Sequence, residues 1–128
     1  MKETNEIEIM KKIDEKYGFV LVLFSSYLCG KCKIAEDYLE KVLPQLPEFP
    51  VYKCVIDYST KIVDTYHVTS APSFKLFVNG EVIQTLFGLR SSDDLYYTLK
   101  NYLKTKDNYK DAWSELFEEI DDSKNKNP

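Results

Sequence analysis

The run from Phe19 to Phe24 is the segment that most restricts how this chain can fold. Its sequence, Phe-Val-Leu-Val-Leu-Phe, is entirely apolar and rich in residues that favour β-strands. Such a run has no polar face to turn toward water, so it predicts a central strand covered on both sides. We therefore expect a sheet with helices packed on both faces.

Helical and strand patterns alternate around this run. The remaining strands are expected at about 51–57, 73–78 and 82–87, and the helices at about 5–17, 30–43, 60–66 and from 91 onward. Asn79-Gly80 predicts a hairpin between the last two strands, and the helix between the first two makes those two parallel. The expected class is α/β, with a mixed sheet, helices on both faces and no clear strand before the first helix.

Composition restricts the function. The 128 residues are enough for one core, and 44% hydrophobic with 30% charged residues is typical of a soluble globular protein. The net charge of −4 argues against a nucleic-acid groove or a basic membrane-binding face, both of which need clustered Lys and Arg. We expect neither nucleic acid nor membrane as a partner.

The cysteines and the first residues predict a cytoplasmic protein. The start of the chain lacks the basic and apolar segments of an export signal, and no apolar run is long enough to span a membrane. Three cysteines are an unlikely disulfide framework, since such frameworks belong to secreted domains and usually have an even count. A close pair with one spare cysteine indicates chemistry instead.

Cys29 and Cys32 form that pair, at the point where the central strand gives way to a helix. Residues three apart on a helix lie close enough for a disulfide to form and break. Cys29 stands at the positive end of the helix dipole, which lowers the pKa of a thiol and predicts the nucleophile. Cys32, one turn deeper, is placed to resolve a mixed disulfide on Cys29. Gly30 leaves the approach open, and Lys31 adds charge that favours the thiolate.

With these residues the chain resembles the thioredoxin family over about 7–103. The resemblance rests on the central strand, Cys29-Gly30-Lys31-Cys32-Lys33, Ala71-Pro72-Ser73, the Asn79-Gly80 hairpin and Gly88. It implies a thiol–disulfide oxidoreductase without a bound cofactor, which exchanges electrons with protein clients and with a reductase or small thiol. It also implies a thioredoxin-like sheet of four to five strands and a cis peptide before Pro72, with the Ala71 backbone contacting the substrate. We expect a monomer.

Four positions depart from the family pattern. Leu28 stands where tryptophan is usual, Lys31 replaces proline between the cysteines, and Asp37 replaces a helix-kinking proline. Leu23 stands where the family has a buried aspartate that helps the second cysteine lose its proton. These departures favour a specialised relative, and Leu23 predicts slow release of mixed disulfides at neutral pH.

Other interpretations of the cysteines remain open. The fold could serve as a redox-inert binding or adaptor module whose thiols do no chemistry. Alternatively, Cys29, Cys32, Cys54 and His67 could supply four zinc ligands, although Cys54 lies mid-strand and zinc sites usually use paired ligands. Taken alone, Cys54 is expected to be a small buried side chain and His67 a surface one.

The end of the chain predicts a separate segment. We expect a thioredoxin-like domain over 1–104 and a helix with an acidic tail over 105–128. The helix carries an apolar stripe at helical spacing, formed by Trp113, Leu116, Phe117 and Ile120. That stripe either docks on the domain itself or presents its aromatic side chains to a partner.

Overall fold

The computed structural model describes residues 1–15 and 18–106. The strands are β1 (Lys2–Glu3), β2 (Phe19–Ser25), β3 (Val51–Val55), β4 (Ser73–Val78) and β5 (Glu81–Phe87). The helices are α1 (Glu6–Ile13), α2 (Gly30–Val42), α3 (Thr60–Tyr66) and α4, which is helical over 92–106. The chain divides into two compact units, Met1–Leu95 and a second that begins at Tyr96. All elements up to β5 lie in the first unit.

The sheet is mixed, with the strand order β1-β3-β2-β4-β5. β1, β3 and β2 run parallel, whereas β4 and β5 are antiparallel to their neighbours. The α/β thioredoxin-like class is therefore confirmed. The expectation of no leading strand was wrong, because Lys2 and Glu3 pair with β3 through their backbones. Both side chains are exposed and polar, so no hydrophobic pattern marks this strand.

Helices cover both faces of the sheet, as the fully apolar central strand predicts. Alternate β2 residues Val20, Val22 and Phe24 join a core with Ile9 and Ile13 of α1 and with Ile62 of α3. Leu21 and Leu23 point to the opposite face, where an ion pair between Glu36 and Lys53 links α2 to β3. Helices α2 and α1 therefore lie on opposite sides of β2.

Several element boundaries differ from the expected ones by a few residues. β3 ends at Val55, and the next three residues form a 3-10 turn, Ile56–Tyr58, in place of two more strand positions. α2 ends at Val42, and Pro44 lies in a second 3-10 turn, Leu43–Gln45, because proline cannot continue the α-helical hydrogen bonds. α1 ends at Ile13, before the undescribed residues 16 and 17.

The second unit is described only over 96–106, which are helical. The predicted tail helix with Trp113 and Phe117 lies outside the described residues. Within the described ranges, no helix combines the length and apolar character needed to cross a membrane.

Candidate functional site

The N-terminus of α2 positions Cys29. Cys29 is the N-cap residue, with extended backbone angles of φ −115° and ψ 107°. The backbone N–H of Cys32 donates a hydrogen bond to Cys29 Sγ at 3.2 Å. A helix N-terminus has unpaired N–H groups and a partial positive charge, and both stabilise a thiolate at this sulfur.

Cys29 and Cys32 are joined by a disulfide, with a Cα–Cα distance of 5.3 Å. The two side chains differ in access to solvent. Cys29 is half-buried, whereas Cys32 is only 1% exposed and belongs to the inner face of α2. Cys29 is therefore the more accessible of the two sulfurs. The roles of Cys29 as nucleophile and Cys32 as resolving cysteine stay predictions.

The loop before β4 lies against the outer sulfur, although it is distant in sequence. Cys29 Sγ is 3.8 Å from the carbonyl oxygen of Ala71. The Ala71-Pro72 peptide bond is cis, and Pro72 is buried. The N–H of Gly88, whose φ is 72°, donates a 2.9 Å hydrogen bond to the carbonyl of Pro72 and ties this loop to the end of β5. The structure thus brings the predicted substrate-binding residues, Ala71 and Pro72, beside Cys29, the predicted nucleophile.

Exposed side chains surround the pair. Gly30 and Lys31 both face solvent, and a Cβ added at Gly30 would meet no atom within 4 Å. Leu28 is 98% exposed immediately before Cys29. The Tyr27 and Tyr58 rings meet edge to face at 5.6 Å between centroids. Sequence reasoning missed this aromatic pair, because its partners are 31 residues apart in the chain.

A groove of about 410 Å³ adjoins these rings. Its lining includes Tyr27, Tyr58, Ile7, Glu3 and Glu6. The groove is therefore part apolar and part acidic, and it opens on the same edge of the sheet as Cys29.

A charged cluster lies on the face of the sheet that carries α2. Lys53 Nζ is 3.0 Å from Glu36 Oε1 on α2 and 3.3 Å from Glu3 Oε1 on β1. Burial works against the positive charge of Lys53, but hydrogen bonds to Glu36 and Glu3 outweigh it and raise the pKa of the lysine. Lys53 is the register partner of Leu23, so both side chains share one face of the sheet.

The remaining zinc candidates do not assemble with the pair. Cys54 lies in the core between the sheet, α1 and α3, on the face opposite α2, and its burial raises the pKa of its thiol. His67 is exposed at the left-handed end of α3. In the part of the chain that the structure describes, no group of three or more His, Cys, Asp or Glu side chains could hold a metal ion.

Comparison with known proteins identifies the family. The thioredoxin family model matches residues 1–101. The chain is 31% identical over 100 residues to the thioredoxin-like protein YusE of Bacillus subtilis, which covers 78% of this chain and 92% of that protein. It is 35% identical over 78 residues to thioredoxin of Chlamydia trachomatis, covering 61% and 76%. The chain belongs to the thioredoxin family.

Solved structures give the same fold. Thioredoxin from Trypanosoma brucei brucei superposes with a TM-score of 0.71 at 22% identity, over 80% of this chain and 89% of that one. A yeast structure on thiol resolution in a mitochondrial 1-Cys peroxiredoxin, via glutathione and thioredoxin systems, gives 0.67 at 27% identity, over 79% and 93%. Family membership and the Cys-x-x-Cys pair together indicate thiol–disulfide oxidoreductase activity in general.

Proposed function

We propose that this protein exchanges its Cys29–Cys32 dithiol with disulfides in protein substrates. The observation that carries the proposal is the position of Cys29, which is accessible, caps α2 and lies 3.8 Å from the Ala71 carbonyl. The thiolate of Cys29 attacks a substrate disulfide, forms a mixed disulfide and releases one substrate sulfur as a thiolate. Cys32 then attacks Cys29 Sγ and releases the second. Two electrons pass to the substrate, and the Cys29–Cys32 disulfide remains.

The substrate chain is proposed to lie along the Ala71-Pro72 loop and against the exposed Leu28, Tyr27 and Tyr58 side chains. These apolar side chains are solvent-accessible beside the sulfur, so they suit an extended peptide segment better than a small thiol. Gly30 and Lys31 tune the pair by leaving space at the sulfur and by adding positive charge. A reductase or a low-molecular-weight thiol would restore the dithiol.

We also propose that the protein works as a monomer in the cytoplasm. The buried free thiol of Cys54 and the odd cysteine count support a reducing compartment. We propose, finally, that residues 1–104 form the catalytic domain and that residues 105–128 form an added segment.

A binding module is the second candidate, because Leu28, Tyr27 and Tyr58 present apolar surface that could hold a partner without chemistry. Insulin reduction in the presence of dithiothreitol separates the two functions. We expect the wild-type protein to accelerate reduction and Cys29→Ser to lose the acceleration. A binding module would give the background rate in both forms.

Cys32→Ser identifies the substrates of an active enzyme. With the resolving sulfur removed, Cys29 should remain joined to its client as a mixed disulfide that survives non-reducing electrophoresis. Cys29→Ser is the matched control and should trap nothing. Equal trapping by both variants would contradict the assignment of Cys29 as the nucleophile.

A further inference from the structure

The ionisation of Cys32 requires a proton acceptor in a buried place. A thiol must lose its proton before it can attack a disulfide, and Cys32 is only 1% exposed. Leu23, on the strand beneath α2, is apolar and fully buried, so it cannot take that proton. A carboxylate on the inner side of α2 would supply such an acceptor.

Glu36 is placed for this by its position on α2. It follows Cys32 by four residues, so the two share a helix face with Cβ atoms about 5–6 Å apart. Helical side chains lean toward the helix N-terminus, which directs the Glu36 carboxylate back toward the turn of Cys32. The Glu36 side chain is 20% exposed, whereas that of the adjacent Asp37 is 59% exposed. Of these two neighbouring carboxylates, Glu36 is the one that faces inward.

Lys53 fixes the carboxylate in that position. Lys53 Nζ lies 3.0 Å from Glu36 Oε1, and the Lys53 side chain is 18% exposed. Lys53 lies opposite Leu23 in the strand register, so its side chain is on the sheet face beneath α2. The ion pair with Lys53 holds the Glu36 carboxylate on that face. Glu3 Oε1, on the edge strand β1, lies 3.3 Å from the same ammonium group and helps to keep it charged.

We propose that Glu36, positioned by Lys53, accepts the proton of Cys32 when Cys32 resolves the mixed disulfide. The inference rests on the proposed function. The proton passes from Cys32 Sγ to the Glu36 carboxylate, and the sulfur electron pair forms a bond to Cys29 Sγ. The bond from Cys29 Sγ to the client sulfur breaks, and the client leaves with that electron pair as a thiolate. An acid on α2 thus replaces the one that the sequence lacks at Leu23.

Other charged groups around α2 define the electrostatic setting. Lys53 faces Glu36 from β3, and Glu3 faces that lysine from β1. Glu40, one turn further along α2, lies 3.9 Å from the N-terminal ammonium of Met1 and is 52% exposed. Glu40 therefore offers a matched control, because it is a carboxylate on the same helix with one cationic partner.

The experiment follows the two sulfur steps separately. Reduced protein is mixed in stopped flow with one equivalent of dithiobis(nitrobenzoate), an aromatic disulfide whose thiolate is coloured when released. Attack by Cys29 releases the first thiolate, and attack by Cys32 on the mixed disulfide releases the second. The two rates are measured from neutral to alkaline pH for the wild-type protein, Glu36→Gln and Glu40→Gln.

We expect Glu36→Gln to leave the first phase unchanged and to slow the second about 10- to 100-fold at neutral pH, at the low end of general-base effects. The second phase should approach the wild-type rate at alkaline pH, where Cys32 ionises without help. Glu40→Gln should match the wild type in both phases. This pH dependence separates proton transfer from a purely structural effect, which would slow the reaction equally at every pH.

Three results would overturn the role of Glu36. These are a second phase in Glu36→Gln that equals the wild type, a loss that is constant across pH, and an equal loss in Glu40→Gln. Failure of the proposed function has a different signature. In that case the wild-type protein itself would release no second thiolate.

Discussion

At the scale of single residues, the sulfurs of Cys29 and Cys32 differ through backbone position more than through neighbouring side chains. Cys29 caps α2, and its Sγ accepts a hydrogen bond from the backbone N–H of Cys32. Cys32 itself is buried on the inner side of that helix. The sequence predicted this difference, because the cysteine spacing and the strand before it determine where the helix begins. It did not predict the Glu36–Lys53 pair, since nothing local links a helix residue to a strand residue 17 positions away.

Cys54 gives a residue-scale prediction about pH. Burial raises the pKa of its thiol above the value in the unfolded chain. The folded state therefore holds this proton more tightly, and the resulting stability is present below the unfolded pKa of about 8.5 and lost as pH rises through the folded pKa. We expect the free energy of unfolding of the oxidised wild-type protein to fall relative to that of Cys54→Ala above about pH 8.5.

Urea denaturation of both proteins between neutral and alkaline pH measures this difference. Cys54→Ala is the proper reference because it keeps the other titrating groups. A difference between the two proteins that stays constant with pH would contradict the raised pKa.

At the scale of elements, hydrophobic pattern and turn chemistry account for most of what the sequence predicted. The bounds of α3 and β4 agree with the predicted ones, and those of β4 are marked by Pro72 before the strand and by the Asn79-Gly80 turn after it. β1 was not predicted because its two exposed residues pair with β3 only through their backbones, and backbone pairing does not require any particular side chain. The contact between Cys29 and Ala71 likewise joins a helix start to a loop 42 residues away, and here the family resemblance supplied what local pattern could not.

The β4–β5 hairpin gives an element-scale prediction. Asn79 and Gly80 have φ angles of 52° and 85°, which suit a tight two-residue turn. A side chain at Gly80 disfavours this left-handed backbone, so Gly80→Ala should lower the free energy of unfolding by about 1–2 kcal/mol. Thermal or urea unfolding measures the loss.

Gly30→Ala is the matched control for that change. Gly30 is the first residue of α2, and an added Cβ there would meet open space. Alanine has a higher helix propensity than glycine, so this variant should be at least as stable as the wild type. A similar loss of stability in both variants would show that backbone angle is not the cause of the Gly80 effect.

At the scale of the whole molecule, the fold places the start of α2 and the loop before β4 together at one edge of the sheet, and it places the charged cluster of Lys53, Glu36 and Glu3 on the sheet face beneath α2. All three lie within Met1–Leu95, the first compact unit. Their convergence follows from topology, because the β2–α2 junction and the loop before β4 meet where antiparallel β4 begins beside the end of β2. The sequence predicted the elements, and the arrangement of the sheet explains why they form a site.

The central claim is that Cys29 and Cys32 alternate between a dithiol and a disulfide. A redox titration in glutathione buffers tests it most directly, with alkylation of free thiols and mass measurement of the products. We predict one two-electron transition in which both cysteines become protected together, and its absence in Cys29→Ser. If no oxidised pair accumulated at any ratio of glutathione to its disulfide, the claim would be contradicted.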